Sequence, residues 1–256
     1  MAKIKTAEEI IRLRESGSRL ARVLQGLKRA IAPGVSTKAL DALAEKLIRA
    51  GGDVPPFLNY TPRGAKTPFP ASLCVSLNDE IVHGIPSDER IIKDGDVVSI
   101  DLGLSHEGMI TDAALTVPVG KVSSDVLRLV KETERALNEG IKAIRVGGHI
   151  GDIGAAIERV AKGEGYGIVR ELGGHGVGHH VHEDPYVPNY GKKGTGPILK
   201  EGMVLALEPM FLLGKEDIRM MPDGYTVVSK DGSVSAHFEH TIVVTKNGAL
   251  ILTQIT

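Results

Sequence analysis

Two stretches of this chain echo one another. KDGDVVSID, from Lys93 to Asp101, aligns without a gap on KEGMVLALE, from Lys200 to Glu208, and each carries an apolar strand pattern that ends in a carboxylate. Each is followed by a second acidic residue leading into a Thr/Val-rich run, TDAALTV from Thr111 and FEHTIVV from Phe238. Helical patterns precede both copies in pairs. Thr6 and Glu9 have capping-box spacing, and Ile10, Leu13, Leu20, Leu24 and Leu27 then recur at helical intervals until Pro33-Gly34. Ser36 caps a second pattern, with Leu40, Leu43 and Leu47 in line and Gly51-Gly52 as its stop. In the later half one helix is expected from Ser124, with Val126, Val130, Leu137 and Ile141 on one face, and another from about Ile150 to Ala161. Strand patterns run from Leu73 to Leu77, Val97 to Asp101 and Met109 to Val117, and the chain from Gly167 onward reads mostly as strand and glycine-rich turn. A duplicated unit of this kind predicts an α+β fold: two pseudo-twofold-related halves, with antiparallel sheet covered by helices.

No Pro/Gly/Ser-rich or charged linker divides the halves, so residues 1–256 are expected to form one domain. The 31 Lys+Arg and 32 Asp+Glu nearly cancel, which gives no global argument for DNA, another polyanion or an acidic membrane surface. Cys74 is the one cysteine and has no thiol to pair with. The N-terminus is charged and amphipathic, and no run approaches the ~18 apolar residues of a membrane span. A cytoplasmic monomer is the expectation. Between Pro55 and Pro70, five prolines and an NYTPRG cluster mark a long irregular segment, a kind of loop that often carries function.

Four acids stand where buried strands seldom tolerate charge. Asp101 closes VVSI, Asp112 interrupts the apolar run after Met109, Glu208 closes MVLAL, and Glu239 lies between Phe238 and the strand from His240. Removing a carboxylate from water costs several kcal/mol or forces it to take a proton, and a bound cation is the simplest compensation. A hairpin turning at His106-Glu107 would set Asp101 directly opposite Asp112, with Cβ atoms ~5 Å apart. Bridging carboxylates of that kind hold the ions of two-metal sites ~3.5–4 Å apart. An exposed hairpin with two solvated acids is the competing reading, and the apolar neighbours count against it. His175, among the glycines of GGHGVGHHVHEDP, offers a nitrogen donor. Four carboxylates with one imidazole suit Mn, Fe or Co and tolerate Zn.

SLNDEIVHGIP, DGDVVSIDLG, ITDAALTVPVG, GHGVGHHVHEDP, LEPM and SAHFEHTIVV resemble, in order and spacing, the motifs of type I methionine aminopeptidases of the pita-bread metallopeptidase family, over nearly the whole chain. The resemblance implies that Asp101, Asp112, His175, Glu208 and Glu239 ligate two divalent ions per chain (Co, Mn, Fe or Zn), with Asp112 and Glu239 bridging. It implies that His83 and His182 contact the substrate's scissile group, that Glu208 also shuttles a proton, and that Phe57, Tyr60, Phe69, Cys74, Val181 and Tyr225 form the methionine pocket. The activity implied is removal of the initiator methionine when the second residue is small, by two-metal-activated hydroxide attack on the methionyl peptide bond. The partners implied are the N-terminal Met of nascent polypeptides and a transient ribosome contact. Met1-Ala2 is itself such a terminus. Two departures stand out: the proline-rich loop before Phe69 is longer than in compact relatives, and His179-His180 occupy positions where smaller or less basic residues are expected. An Xaa-Pro aminopeptidase or dipeptidase of the same fold, or a non-catalytic binding protein of this fold, are the alternatives. The filled set of five donors weighs against the last.

Overall fold

The computed structural model describes residues 3–62 and 64–255, so Met1 and Ala2 lie outside the described residues. The capping box forms: the Thr6 hydroxyl accepts from the Glu9 amide at 3.2 Å and the Glu9 carboxylate accepts from Thr6 N–H at 2.7 Å. Helix α1 (Ala7–Ala30) starts there, and α2 (Thr37–Ala50) follows from the Ser36 cap. Leu20, Leu24 and Leu27 of α1 pack with Leu40, Ala44 and Ile48 of α2 as one buried cluster.

The strands of the first half are β1 (Cys74–Leu77), β2 (Glu80–Val82), β3 (Val97–His106) and β4 (Met109–Pro118). Helices α3 (Ser124–Lys142) and α4 (Ile150–Glu164) open the second half, and Gly165, in the left-handed region at φ 76°, ends α4. Then come β5 (Gly167–Ile168), β6 (Gly173–Gly176), β7 (Glu183–Pro188), β8 (Val204–Leu207), β9 (Met210–Leu212), β10 (Ile218–Met220), β11 (Val227–Ser229), β12 (Ser235–His237), β13 (His240–Thr245) and β14 (Gly248–Ile251). The pairings are antiparallel: β1-β3-β4 in the first half, β14-β13-β8-β6-β7 in the second, with β12-β9-β5 and β10-β11-β2 as shorter sheets. Each half carries its own helix pair. Ile100, Leu102 and Leu104 of β3 join the α1–α2 cluster, whereas Leu205, Leu207 and Ile242 join that of α3 and α4. Among the described residues no helix is long and apolar enough to cross a membrane.

The halves meet along β4 and the β12–β13 segment. Ala114 and Glu239 exchange backbone hydrogen bonds, at 2.9 Å from the Glu239 amide and 3.4 Å from that of Ala114. On one side of this pair the Thr241 hydroxyl accepts from Asp112 N–H at 2.8 Å and donates to Asp112 C=O at 2.7 Å. On the other, the Thr116 hydroxyl accepts from His237 N–H at 2.9 Å and donates to His237 C=O at 2.7 Å. A local twofold therefore relates Thr116 to Thr241 and Asp112 to His237.

Two details of the expected register change. The hairpin of β3 and β4 turns at Glu107-Gly108, because both residues take positive φ (48° and 76°), which the tight two-residue turn between His106 and Met109 requires. Asp112 consequently pairs with Gly103, and Asp101 with Ala114. The two acids are diagonal neighbours on one face, not directly opposed. The equivalence of TDAALTV with FEHTIVV also fails by two residues, since the seam matches Asp112 to His237 and not to Glu239. In the second half the ladder breaks at Glu208-Pro209, where proline has no N–H to give. The flanking pairs His240↔Leu207 and His237↔Met210 keep one register through the break, which puts Glu208 across from Glu239.

Thr241 is fully buried, and replacing its hydroxyl by a methyl leaves both main-chain groups of Asp112 without that partner. Thr241→Val is expected to lower unfolding stability by about 1–3 kcal/mol at an unchanged denaturant slope. Urea titration checks this, and a midpoint equal to that of the parent would show that the seam is held by other contacts.

Candidate metal centre

One cavity of about 110 Å³ is lined by Asp101, Asp112, His175, Glu208 and Glu239 and also by His83, His182, Phe57, Tyr60, Phe69, Cys74, Val181 and Tyr225. Every residue expected to ligate metal, contact the scissile group or form the apolar pocket thus comes to the same place, with Pro62 in addition, whereas His179 and His180 do not line it. Asp101 stands on β3, Asp112 on β4 and His175 on β6, while Glu208 and Glu239 sit in the strand breaks after β8 and before β13. Donor atoms of Asp112, His175 and Glu239 lie within 4.8 Å of one another. Glu208 Oε1 is 3.6 Å from His175 Nε2.

Several donors have no hydrogen-bond partner: Asp101 Oδ1, Asp112 Oδ1 and Glu239 Oε1 are all buried and unpaired. Buried carboxylate oxygens are rarely left so, and each lost partner costs on the order of 1–3 kcal/mol. His175 Nδ1 lies 2.9 Å from the Gly176 carbonyl, which can only accept, so the ring proton is on Nδ1 and the Nε2 lone pair is free for a ligand. Unpaired oxygens beside an unprotonated imidazole nitrogen fit a divalent cation.

The electrostatics follow from burial. Desolvation, followed by the charges of Asp112 and Glu208, lifts the Asp101 carboxyl well above its ordinary range, and desolvation with the same two neighbours lifts Glu239 likewise. Burial pushes Asp112 up to about 7 and, helped by the Asp112 charge, Glu208 up to about 8. The histidines move the other way. Burial, reinforced by neighbouring His182, takes His175 down to about 3 and His83 to about 4, and burial lowers His182 itself. A cleft where many shifted groups gather is where catalytic sites are found.

The cavity walls come from distant segments. The irregular segment 55–70 is bracketed by its own hydrogen bonds, Asn59 N–H to Phe69 C=O at 2.9 Å and Phe69 N–H to Tyr60 C=O at 2.8 Å. Phe57 reaches the wall because position 103 is glycine: a Cβ there would stand 2.9 Å from the Phe57 ring. Cys74 faces Asp101 across the β1–β3 ladder, and burial, followed by that carboxylate, holds its thiol well above its ordinary range. It is a neutral wall residue. Phe69 and Tyr225 meet edge to face at 5.1 Å. The Tyr60 hydroxyl lies 2.8 Å from His182 Nδ1, and the His182 ring stands edge-on to His175 at 4.5 Å. His83 takes a left-handed backbone (φ 59°), a conformation that persists where surroundings over-determine it and that gathers at functional sites.

The sequence reading missed His237. Its buried Nε2 is unpaired and 3.7 Å from Glu208 Oε2. A signal existed, since His237 and Glu239 share strand parity in SAHFEH, but the seam that orients them is a long-range contact.

Comparison with known proteins agrees with this geometry. Residues 11–246 match metallopeptidase family M24. The chain is 44% identical over 251 residues to methionine aminopeptidase 1 of Bacillus subtilis, covering 98% of each chain. Its fold superposes on the crystal structure of methionine aminopeptidase from Thermotoga maritima with a TM-score of 0.95 at 39% identity, covering 99% of this chain and 100% of that one. A prolidase from Pyrococcus furiosus shares the fold at a TM-score of 0.75 and 24% identity, with 98% of this chain covering 65% of that one. The chain belongs to metallopeptidase family M24 and, within it, to the methionine aminopeptidases, which share the pita-bread fold. It is a metal-dependent hydrolase that uses a divalent cation.

The shifted groups predict a pH dependence for chelator-treated protein. A carboxyl whose folded pKa is raised stabilises fully below its unfolded value, about 4, and that contribution is lost as pH climbs through the folded value. For Asp112 and Glu208 the loss extends to about 7 and about 8. Histidines with depressed values oppose this trend only as pH falls through about 6.5. Between about pH 6.5 and 8 the carboxyls dominate, so metal-free protein is expected to melt lower at pH 8 than at pH 6.5, and saturating Mn to abolish the difference. Calorimetry with and without chelator decides it; a metal-free protein equally stable at both would overturn the account.

Proposed function

We propose that this enzyme removes the N-terminal methionine of nascent polypeptides whose second residue is small, with residues 1–256 acting as one catalytic unit. The observation that carries the reading is a single cavity in which Asp101, Asp112, His175, Glu208 and Glu239 converge, with unpaired oxygens on Asp101, Asp112 and Glu239, and adjoin an apolar wall of Phe57, Phe69, Cys74, Val181 and Tyr225. The names and near-complete coverage of the relatives at over 40% identity support the substrate. The five donors would hold two divalent ions. An oxygen-rich set with one nitrogen suits Mn, Fe or Co and tolerates Zn.

When bound, the ions supply Lewis acidity that makes a water nucleophilic near neutral pH. Glu208 takes the proton of the attacking water and passes it to the leaving amine. Tyr60 donates to His182 Nδ1 in this reading, which leaves the His182 proton on Nε2, free to bond the scissile carbonyl as negative charge develops there. His83, which lines the same cavity, serves the scissile group as a neutral imidazole, since burial takes it down to about 4. The apolar wall takes the unbranched thioether side chain. The setting proposed is the cytoplasm, as a monomer with a transient ribosome contact. Substrate logic supports that contact, because nascent termini emerge there.

Methionine release from Met-Ala-Ser is expected with added Mn or Co, and no turnover of Xaa-Pro peptides. Asp112→Ala and His175→Ala are expected to lose both activity and bound metal. His182→Ala is expected to keep its metal and lose roughly 10²–10³ in kcat, the range for one oxyanion donor. Cleavage confined to Xaa-Pro bonds would reject the proposal in favour of the dipeptidase alternative.

A further inference from the structure

His179 and His180 lie in the loop between β6 and β7, beside Val181 and His182 of the cavity wall. Residues 4–9, running into α1, lie across this loop. Lys5 Nζ meets Glu183 Oε2 at 2.6 Å, with the two side chains only 1% and 5% exposed. The Lys5 amide donates to Gly202 C=O at 2.9 Å and Ile4 bridges to Met203, so the main chain of the strap is fixed beside the start of β8. Glu183 Oε1 accepts from the amides of His179 at 2.7 Å and His180 at 3.1 Å. Burial alone would raise this carboxyl, but Lys5 and the loop amides hold it below its ordinary value. Glu9 forms a second arm. One of its oxygens serves the Thr6 cap, and the other accepts from His179 Nε2 at 2.7 Å.

Gly178 completes the grip. It has φ 144°, and a Cβ there would lie 2.4 Å from Lys5 Cε, so the lysine stem fills the space that glycine leaves. From the opposite side Ile110 N–H donates to Gly178 C=O at 2.7 Å. The loop is therefore held between β4 and the N-terminal strap, two to four residues from His182. Burying an ammonium with a carboxylate is a poor route to stability alone, since an apolar pair of similar volume often does as well. It does hold a loop in one geometry, because each charge satisfies directed hydrogen bonds.

We infer that Lys5, with Glu9 as its second arm, is a positioning residue for His182: through Glu183 and His179 the strap fixes the loop on which that imidazole stands. This rests on the reading that His182 bonds the scissile group. Geometry near reacting atoms is steep in rate, and a displacement of about 1 Å costs up to 10²-fold.

The test is a double-mutant cycle at saturating Mn, reading kcat and KM for Met-Ala-Ser together with bound metal. Lys5→Met is expected to lower kcat about 10- to 100-fold with metal content unchanged and KM affected far less, and Lys5→Arg to restore most of it. In a His182→Ala background the further loss from Lys5→Met is expected to vanish, because the residue being positioned is gone. Glu9→Gln, which leaves one acceptor oxygen for two donors at a more exposed position, is expected to follow the same pattern more weakly, and it carries the cycle if Lys5→Met does not fold. An equal loss in both backgrounds, or none in either, would overturn the strap. A His182→Ala enzyme with unchanged kcat would instead overturn the reading of the site on which the strap depends.

Discussion

The carboxyl groups of Asp101, Asp112, Glu208 and Glu239 line one cavity, and their mutual repulsion is the constraint against which the rest of the molecule is arranged. Two like charges about 4 Å apart repel by about 1 kcal/mol in water and about 4 kcal/mol at the effective dielectric of a protein. Side chains under that force would swing apart unless the backbone forbade it. The seam does so: Asp112 is fixed through Thr241 at both of its main-chain groups, and Glu239 through Ala114 at both of its own. With escape closed, protons or a cation must neutralise the cluster. The raised carboxyl values describe the first solution, and the free lone pair of His175, which no proton-sharing scheme needs, favours the second.

The approximate duplication of the chain is what builds such a cluster economically. Each half supplies a helix pair, a hairpin and one carboxylate at the end of an apolar strand, and antiparallel contact across the seam brings the strand ends together. The symmetry is then broken where chemistry needs it. The first half keeps a continuous hairpin with its acids diagonal, whereas the second interrupts its ladder at Pro209 and sets Glu208 across from Glu239. His237, the counterpart of Asp112, leaves a nitrogen beside Glu208 where the first half has an acid.

Local rules carried much of this in the sequence. Thr6, Ser36 and Ser124 marked helix starts to within a residue, because caps and periodic leucines are short-range signals. The four acids were legible because charge within or at the end of an apolar strand is expensive wherever it occurs, and His175 because it stands as a nitrogen donor among glycines. The turn of the first hairpin was misplaced by one residue: His106-Glu107 looks as polar as Glu107-Gly108, and only the positive φ of a tight turn selects the pair containing glycine. That shift moved the register by two and preserved the face, so the site survived the error. The offset between the halves, and His237 with it, depended on hydrogen bonds linking residues 112 and 116 to 241 and 237, which no local pattern encodes.

The division of labour between the halves bears on whether metal-free survivors of this fold serve only as binding proteins. Asp101, Asp112 and His83 come from the first half and His175, His182, Glu208 and Glu239 from the second, so neither half holds a usable donor set alone. Keeping four carboxyls in one cavity, three of them with an unpaired buried oxygen, is destabilising in a protein that binds no cation, and replacing them by apolar residues would relieve the penalty. A chain that retains all four acids, the imidazole tautomer that leaves Nε2 open, and a strained His83 facing the same cavity retains features that folding alone works against. Their presence together in one cavity fits a bound divalent cation, which would neutralise the acids and take the open imidazole nitrogen.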